Sequence, residues 1–268
     1  MSDILNLSLL AIVQGLTEFL PVSSSGHLVL AKSTLGYEAI SGLGVELLLH
    51  AGTLVAVIAY YRTFIKDILV RLFQREKSAW LFACSILISM IPAVILGLTC
   101  EEKLEALAEN PAVVCAFLII TGTILLLTRT IHRPLEKEIT PLRALIMGIA
   151  QSFAMLPGIS RSGSTIATSR FLGVKTETAA AFSFLMVVPV ILGGNILHLL
   201  KAFSNDGESA FTGLTWPSAL IGFALSAIVG YLSVAWMVKL LGKRNFWKFG
   251  FYCIAIGLIG LTYFLFLQ

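Results

Sequence analysis

Gln14-Gly15-Leu16-Thr17-Glu18-Phe19-Leu20-Pro21-Val22-Ser23-Ser24-Ser25-Gly26-His27 is the stretch that decides how this chain is read. It sets an acid, three hydroxyls, an imidazole and a helix breaker inside sequence otherwise apolar enough for a bilayer. Residues Gln151 to Thr165 repeat the pattern in one register. Ser23-Ser24-Ser25-Gly26 aligns with Ser160-Arg161-Ser162-Gly163, Gln14 with Gln151, and Leu35-Gly36 with Leu172-Gly173. The second copy contributes an arginine, Arg161.

Outward from that stretch the chain is oily. Of its 268 residues 57% are hydrophobic and 13% charged, with a mean hydropathy of +0.91. A soluble domain carries roughly 25% charged residues. Several segments approach the roughly 20 apolar residues that cross a hydrocarbon core, so the chain reads as an all-α polytopic membrane protein. Met1-Ser2-Asp3 lacks the basic flank of a cleavable signal peptide. The net charge of +4 sits in loops, where it speaks to topology and not to nucleic acid. Cys84, Cys100, Cys115 and Cys253 form no CxxC pair and read as small side chains in helix packing, not as disulfides or a zinc site.

Residues 4–22 and 27–36 are each too short or interrupted to span comfortably, and together they suggest a re-entrant helical hairpin. Irregular backbone at membrane depth is tolerated where protein or water covers it, so the tip, Pro21 to Gly26, should line a polar cavity. Residues 144–157 and 164–172 repeat the hairpin. Spans are expected at 43–61, 79–98, 112–128, 178–200, 217–237 and 249–267, with Trp80, Trp216, Trp236 and Trp247 near their ends. The basic loops 62–77, 129–143 and 238–248 should be cytoplasmic, and the loops 99–110 and 201–216 should face outward. Three spans separate the hairpins, so the repeats have opposite orientation and their tips can meet near the midplane. The chain is thus expected to be one integral membrane domain, 1–268, built of inverted repeats over about 1–130 and 138–268, each a hairpin plus three transmembrane helices. That architecture recurs in transporters and does not by itself choose a transporter over an enzyme.

Gln14 and Glu18 are four apart and share a helix face. Charge at this depth is expensive and usually functional, which singles out Glu18; an amide such as Gln14 can equally bridge helices. Ser23, Ser24 and Ser25 lie at the break, with Gly26 permitting close backbone approach. A helix N-terminus there suits a phosphate, and a serine with His27 nearby offers a nucleophile and a proton carrier. Helix capping accounts for one serine but hardly for the run. Arg161, opposite the serines, could grip phosphate oxygens bidentately, pair with Glu18, or sit at an interface. His50 reads as structural, Arg170 and Lys175 as interfacial anchors, and His132 and His198 receive no role.

The two motifs, Gln14-x-x-x-Glu18 through His27 and Pro157-Gly158-Ile159-Ser160-Arg161-Ser162-Gly163-Ser164-Thr165, resemble the bacitracin-resistance type of undecaprenyl-diphosphate phosphatase along the whole chain. The resemblance implies a multi-pass enzyme of the bacterial cytoplasmic (inner) membrane whose site opens to the periplasmic or outer face. Its substrate would be a polyprenyl diphosphate, cleaved to the monophosphate carrier of cell-wall synthesis, with a divalent cation, Mg2+ or Ca2+, as cofactor. By motif position, Ser24 is the favoured nucleophile, with Glu18, His27 and Arg161 around the diphosphate and Glu18 the metal ligand. Gln14, Ser23, Ser25, Gly26, Ser160, Ser162, Gly163 and Thr165 are expected to bind substrate. That family accepts Glu or Gln at position 14, so no obligatory acid role falls there. Membrane lipid phosphatases of the phosphatidate type share Ser-Gly-His and Ser-Arg, but Ala167 stands where their nucleophilic His belongs. The expected partners are the lipid substrate and the bilayer, with no nucleic acid; a homodimer is one open assembly, and the sequence does not set the oligomeric state. The rival reading is a polyprenyl-phosphate flippase or ion-coupled transporter.

Overall fold

The computed structural model describes residues 2–35, 43–131, 135–204, 214–242 and 245–266. Among these residues the chain is helical, with one isolated bridge between Lys137 and Val174 and no strand. The first hairpin is α1 (Ser2–Phe19) and α2 (Ser24–Leu35). It is followed by α3 (Leu43–Tyr60), α4 (Arg62–Phe73), α5 (Lys77–Ala108) and α6 (Pro111–Leu127). The second hairpin is α7 (Pro141–Phe153) and α8 (Arg161–Phe171), followed by α9 (Thr176–Leu185), α10 (Val187–Ser204), α11 (Trp216–Gly242) and α12 (Phe249–Phe266). Five stretches among the described residues are long and apolar enough to cross a membrane, six if the bent pair α3–α4 counts as one. The protein is therefore a multi-pass membrane protein, and the six stretches coincide with the expected spans.

Four details differ from the sequence reading. Residues 62–77 are not mainly loop: α4 turns 69° away from α3 at Tyr61 and buries none of its residues. Its apolar residues Leu69, Val70 and Phe73 are exposed among Arg62, Lys66 and Asp67, a pattern suited to a membrane surface. The acidic stretch 101–108 is likewise helical, continuing α5 past non-helical backbone at Cys100. The span expected at 178–200 is divided at Met186 into α9 and α10. Arg170 is buried, because α8 has only 11 residues and its last turn stays among its neighbours. Lys175 is at the surface, paired with Glu138. The loop 201–216, expected to face outward, lies mostly outside the described residues, as does His132.

Without a hydrophobic drive between helices in lipid, packing relies on small residues and on hydrogen bonds across helices. The principal contacts are α6 with α12, α1 with α11, α11 with α3, and α5 with α7. At the α6–α12 crossing, a Cβ on Gly122 would stand 2.6 Å from Gly250 O, and one on Gly250 would stand 2.6 Å from Gly122 O. Gly15 of α1 meets α11 at Gly230, and Ser233 Oγ donates to Leu16 O at 2.8 Å in the same contact. Ser226 Oγ donates to Leu49 O at 2.7 Å between α11 and α3. Such bonds average about 0.6 kcal/mol each, so close backbone approach carries most of the contact. Cys115 and Cys253 are buried in these helix contacts as free thiols. The first arm of each hairpin thus lies against a span from the other half of the chain.

The two helix breaks touch. Ser162 Oγ donates to Leu20 O at 3.0 Å, and a Cβ on Gly26 would lie 3.1 Å from Gly158 Cα. Gly158 itself has φ +100, a conformation glycine adopts without cost.

Candidate active site

Each break is built the same way. Ser23 and Ser160 precede the helices α2 and α8, and their Oγ atoms accept from the N–H of Gly26 (3.3 Å) and Gly163 (3.1 Å). The third residue of each motif reaches back, Ser25 Oγ to Ser23 Oγ at 3.3 Å and Ser162 Oγ to Ser160 Oγ at 3.4 Å. The capping Oγ holds one of the free N–H groups at each start, and the remaining N–H groups and the dipole favour an anion there.

A cavity of about 240 Å³ opens between the two breaks. Its polar lining includes Glu18, Ser23, Ser24, Ser25, Ser160 and Arg161, six of the expected residues, together with Thr17, His50 and Gln151. Ala93, Met155, Ile159, Val190 and Ile191 form apolar walls. Glu18 is the hub. Its Oε2 accepts from Ser24 Oγ at 2.6 Å and from Gln14 Nε2 at 3.0 Å, and Oε1 pairs with Arg161 Nη2. The Glu18 side chain is 2% exposed and that of Arg161 21%, so the cation keeps a face toward the cavity. Ser24 is thus a hydroxyl whose proton already has an acceptor, and that acceptor is fixed by a third and a fourth group.

Other expected residues stand behind this surface. Gln14 is fully buried and supports Glu18. Gly26 and Gly163 pack the breaks, Ser162 ties the tips, and Thr165 Oγ1 lies 2.6 Å from Ser183 Oγ on α9. His27 does not line the cavity. Its Nδ1–H donates to Ser23 O at 2.8 Å, which leaves Nε2 to accept from Tyr252 OH at 2.8 Å on α12. The two rings stack with centroids 5.6 Å apart. Ser23 has φ 69, unusual for a non-glycine residue and costing roughly 1–3 kcal/mol. His27 therefore holds the strained residue that precedes Ser24.

Besides Thr17 and Gln151 of the cavity lining, sequence reasoning missed three participants. Thr121 on α6 donates to Gly158 O at 2.8 Å and accepts from Ser160 N–H at 3.0 Å, fixing the second break. A lone threonine in an apolar span gives no signal of this. Tyr252 is 225 residues from His27 and equally silent. His50 was legible as an intramembrane titratable group; its Nδ1–H donates to Glu46 O at 2.8 Å, and the ring lines the cavity.

For a divalent cation the cavity offers few donors of its own. Among the described residues no three His, Cys, Asp or Glu side chains come together as a metal cage. Glu18 is the carboxylate of the cavity, and its oxygens already serve Ser24, Gln14 and Arg161. A hard cation takes six or more oxygens, so most would have to come from phosphate and water.

The chain was compared with known proteins. A family model described as "Bacitracin resistance protein BacA" matches residues 7–259. A protein named undecaprenyl-diphosphatase from Geobacter metallireducens is 38% identical over 275 residues, covering 98% of this chain and 99% of the relative. One of the same name from Halothermothrix orenii is 37% identical over 259 residues, covering 96% of each. Undecaprenyl-diphosphatase 1 of Bacillus licheniformis is 38% identical over 264 residues, covering 95% of this chain and 96% of the relative. With its two motifs intact and the match running nearly end to end, the chain belongs to the bacitracin resistance protein BacA family.

Proposed function

We propose that this protein hydrolyses undecaprenyl diphosphate to undecaprenyl phosphate and inorganic phosphate, returning the lipid carrier to cell-wall synthesis. One observation carries the reading beyond the names of the relatives: the 2.6 Å bond from Ser24 Oγ to Glu18, inside a cavity that also presents Arg161 and two helix N-termini. The terminal phosphoryl group takes the Arg161 guanidinium and the free N–H groups of α2 and α8, which are aimed where charge develops. As Arg161 turns to phosphate, Glu18 is left as the proton acceptor for Ser24. Ser24 Oγ then bonds to phosphorus while the bridging P–O bond breaks, and the lipid monophosphate departs with the bond's electron pair and takes the proton from Glu18, which is again a carboxylate. Water, activated by Glu18, hydrolyses the phosphoseryl group and restores Ser24. His27 and Tyr252 position Ser23 and Ser24 instead of carrying the proton. Glu18, with phosphate and water oxygens, would hold a divalent cation, and such a cation would offset phosphoryl charge.

Phosphate release by the purified protein in detergent, where no two sides exist, tests the reading against a flippase or transporter, which needs no nucleophile. No release from undecaprenyl diphosphate would sink it. Arg161→Lys keeps the charge but loses the planar fork that holds two oxygens. Its kcat/KM should fall about 10- to 100-fold, measured on the same substrate; wild-type turnover would make Arg161 a counter-ion only.

The same proposal includes inverted repeats in a single domain of the cytoplasmic membrane. The exchange of partners supports it, since α1 lies on α11 while α7 lies on α5, and α6 meets α12. The basic segments 62–77, 129–143 and 238–248 alternate along the chain with 99–110 and 201–216, which hold one Lys each, and this alternation supports the orientation. A cysteine introduced at Glu102 should react with an impermeant thiol reagent from the periplasm in a background lacking native thiols, and one at Arg75 should not. Labelling of both from one side would overturn the repeat assignment.

A further inference from the structure

The cavity holds a polar group that the chemistry above leaves unused. Gln151, in the last turn of α7, is 2% exposed, and neither its Oε1 nor its Nε2 has a hydrogen-bond partner. The repeat explains why. In the first half, Gln14 spends its Nε2 on Glu18, four residues on; in the second, the residue four on from Gln151 is Met155, which offers no acceptor. A buried amide without partners costs stability, and Leu or Met would fill the place at lower cost. His50 lines the same cavity with Nδ1 tied to Glu46 O, so its second nitrogen is what it presents there.

We propose that Gln151, assisted by His50, forms a second phosphate-holding subsite, distinct from the Ser24–Arg161 grip, for the phosphoryl group that stays on the lipid. The Gln151 amide N–H donates to phosphoryl oxygens, and its carbonyl accepts from a protonated oxygen or a phosphate-bound water. A diphosphate fills both subsites and a monophosphate one, so the pair favours substrate over product. Assigning the retained phosphoryl group to this subsite rests on the phosphatase reading; the existence of a diphosphate-holding amide does not.

The test uses the full chain in detergent and methylenediphosphonate, a diphosphate analogue whose bridge is not hydrolysed. Thermal unfolding is followed as the analogue is titrated into the wild type, Gln151→Leu, Gln151→Met and His50→Leu. Without ligand, the Gln151 variants should unfold about 2–4 °C higher, because an orphaned amide is gone. They should need about 10- to 100-fold more analogue for the same stabilisation, the range expected for one hydrogen bond to a charged group. His50→Leu should weaken the response in the same direction. A ligand response equal to wild type in both Gln151 variants overturns the subsite, as does a wild type that does not respond to the analogue. A lower melting temperature of both ligand-free Gln151 variants overturns it too, since it marks a structural amide. Phosphate release from undecaprenyl diphosphate is measured in parallel. A wild type that binds the analogue through Gln151 but releases no phosphate retains the subsite and overturns the phosphatase reading.

Discussion

Glu18→Gln should lower phosphate release from undecaprenyl diphosphate by about 10³-fold, within the range ascribed to a positioned general base. Gln keeps the size of the side chain and its bond to Gln14, but it cannot take the proton of Ser24 or balance Arg161. Breaking a buried pair by removing one partner costs about 3–5 kcal/mol when both charges are enclosed. Arg161 retains an open face at 21% exposure, so the loss should fall at or below the lower end of that range. Two measurements separate the roles. In the double variant Glu18→Gln/Arg161→Gln, thermal stability in detergent should recover because no cation is stranded, while turnover should not. Recovery of the single variant by high Mg2+ would assign Glu18 to a cation shell, and turnover within tenfold of wild type would remove Glu18 from the chemistry.

Ser24→Ala should be comparably inactive, about 10³-fold down or more, with its fold kept. The capping oxygen of α2 belongs to Ser23, so the helix start survives the change. Acid quenching during turnover of substrate labelled in the terminal phosphoryl group should leave label on the wild-type chain at Ser24 and none on the variant. An unlabelled wild type together with a Ser24→Ala variant of full turnover would end the case for Ser24 as nucleophile. An unlabelled wild type with an inactive variant would transfer the attack to water oriented by the same hydroxyl.

The features legible in the sequence were those that violate a local rule. A carboxylate, an arginine and Ser-Gly breaks inside apolar sequence cannot be explained by packing into lipid, and they pointed to Glu18, Ser24 and Arg161 before any coordinate did. Span positions followed from hydropathy for the same reason. The helix α4 was hidden because its charges suggested a loop, although Leu69, Val70 and Phe73 fall at helical spacing between them. His27 shows a different limit: a histidine three residues from a serine reads as a proton carrier, yet the direction of its ring is decided by Tyr252, a residue on the last helix. Nor could a single sequence reveal that Gln151 lacks the partner Gln14 has, until the helix faces were fixed. What escaped detection was long-range pairing between side chains that look ordinary where they stand.

The reciprocal packing of the hairpins bears on how the protein is made. Translation delivers the chain from its N-terminus, so α1 and its carboxylate enter the membrane with their principal partner, α11 (Trp216–Gly242), still unsynthesised. Arg161, which neutralises Glu18, follows 143 residues behind it. For most of synthesis the nascent chain therefore carries a half-built pocket with an uncompensated polar tip. Such a tip calls for shelter by the translocon or an insertase until the eighth helix brings the guanidinium and the eleventh closes over Gly15. A ribosome stalled before Trp216 should leave α1 accessible to protease or to a quality-control factor, whereas one stalled after Gly242 should leave it protected.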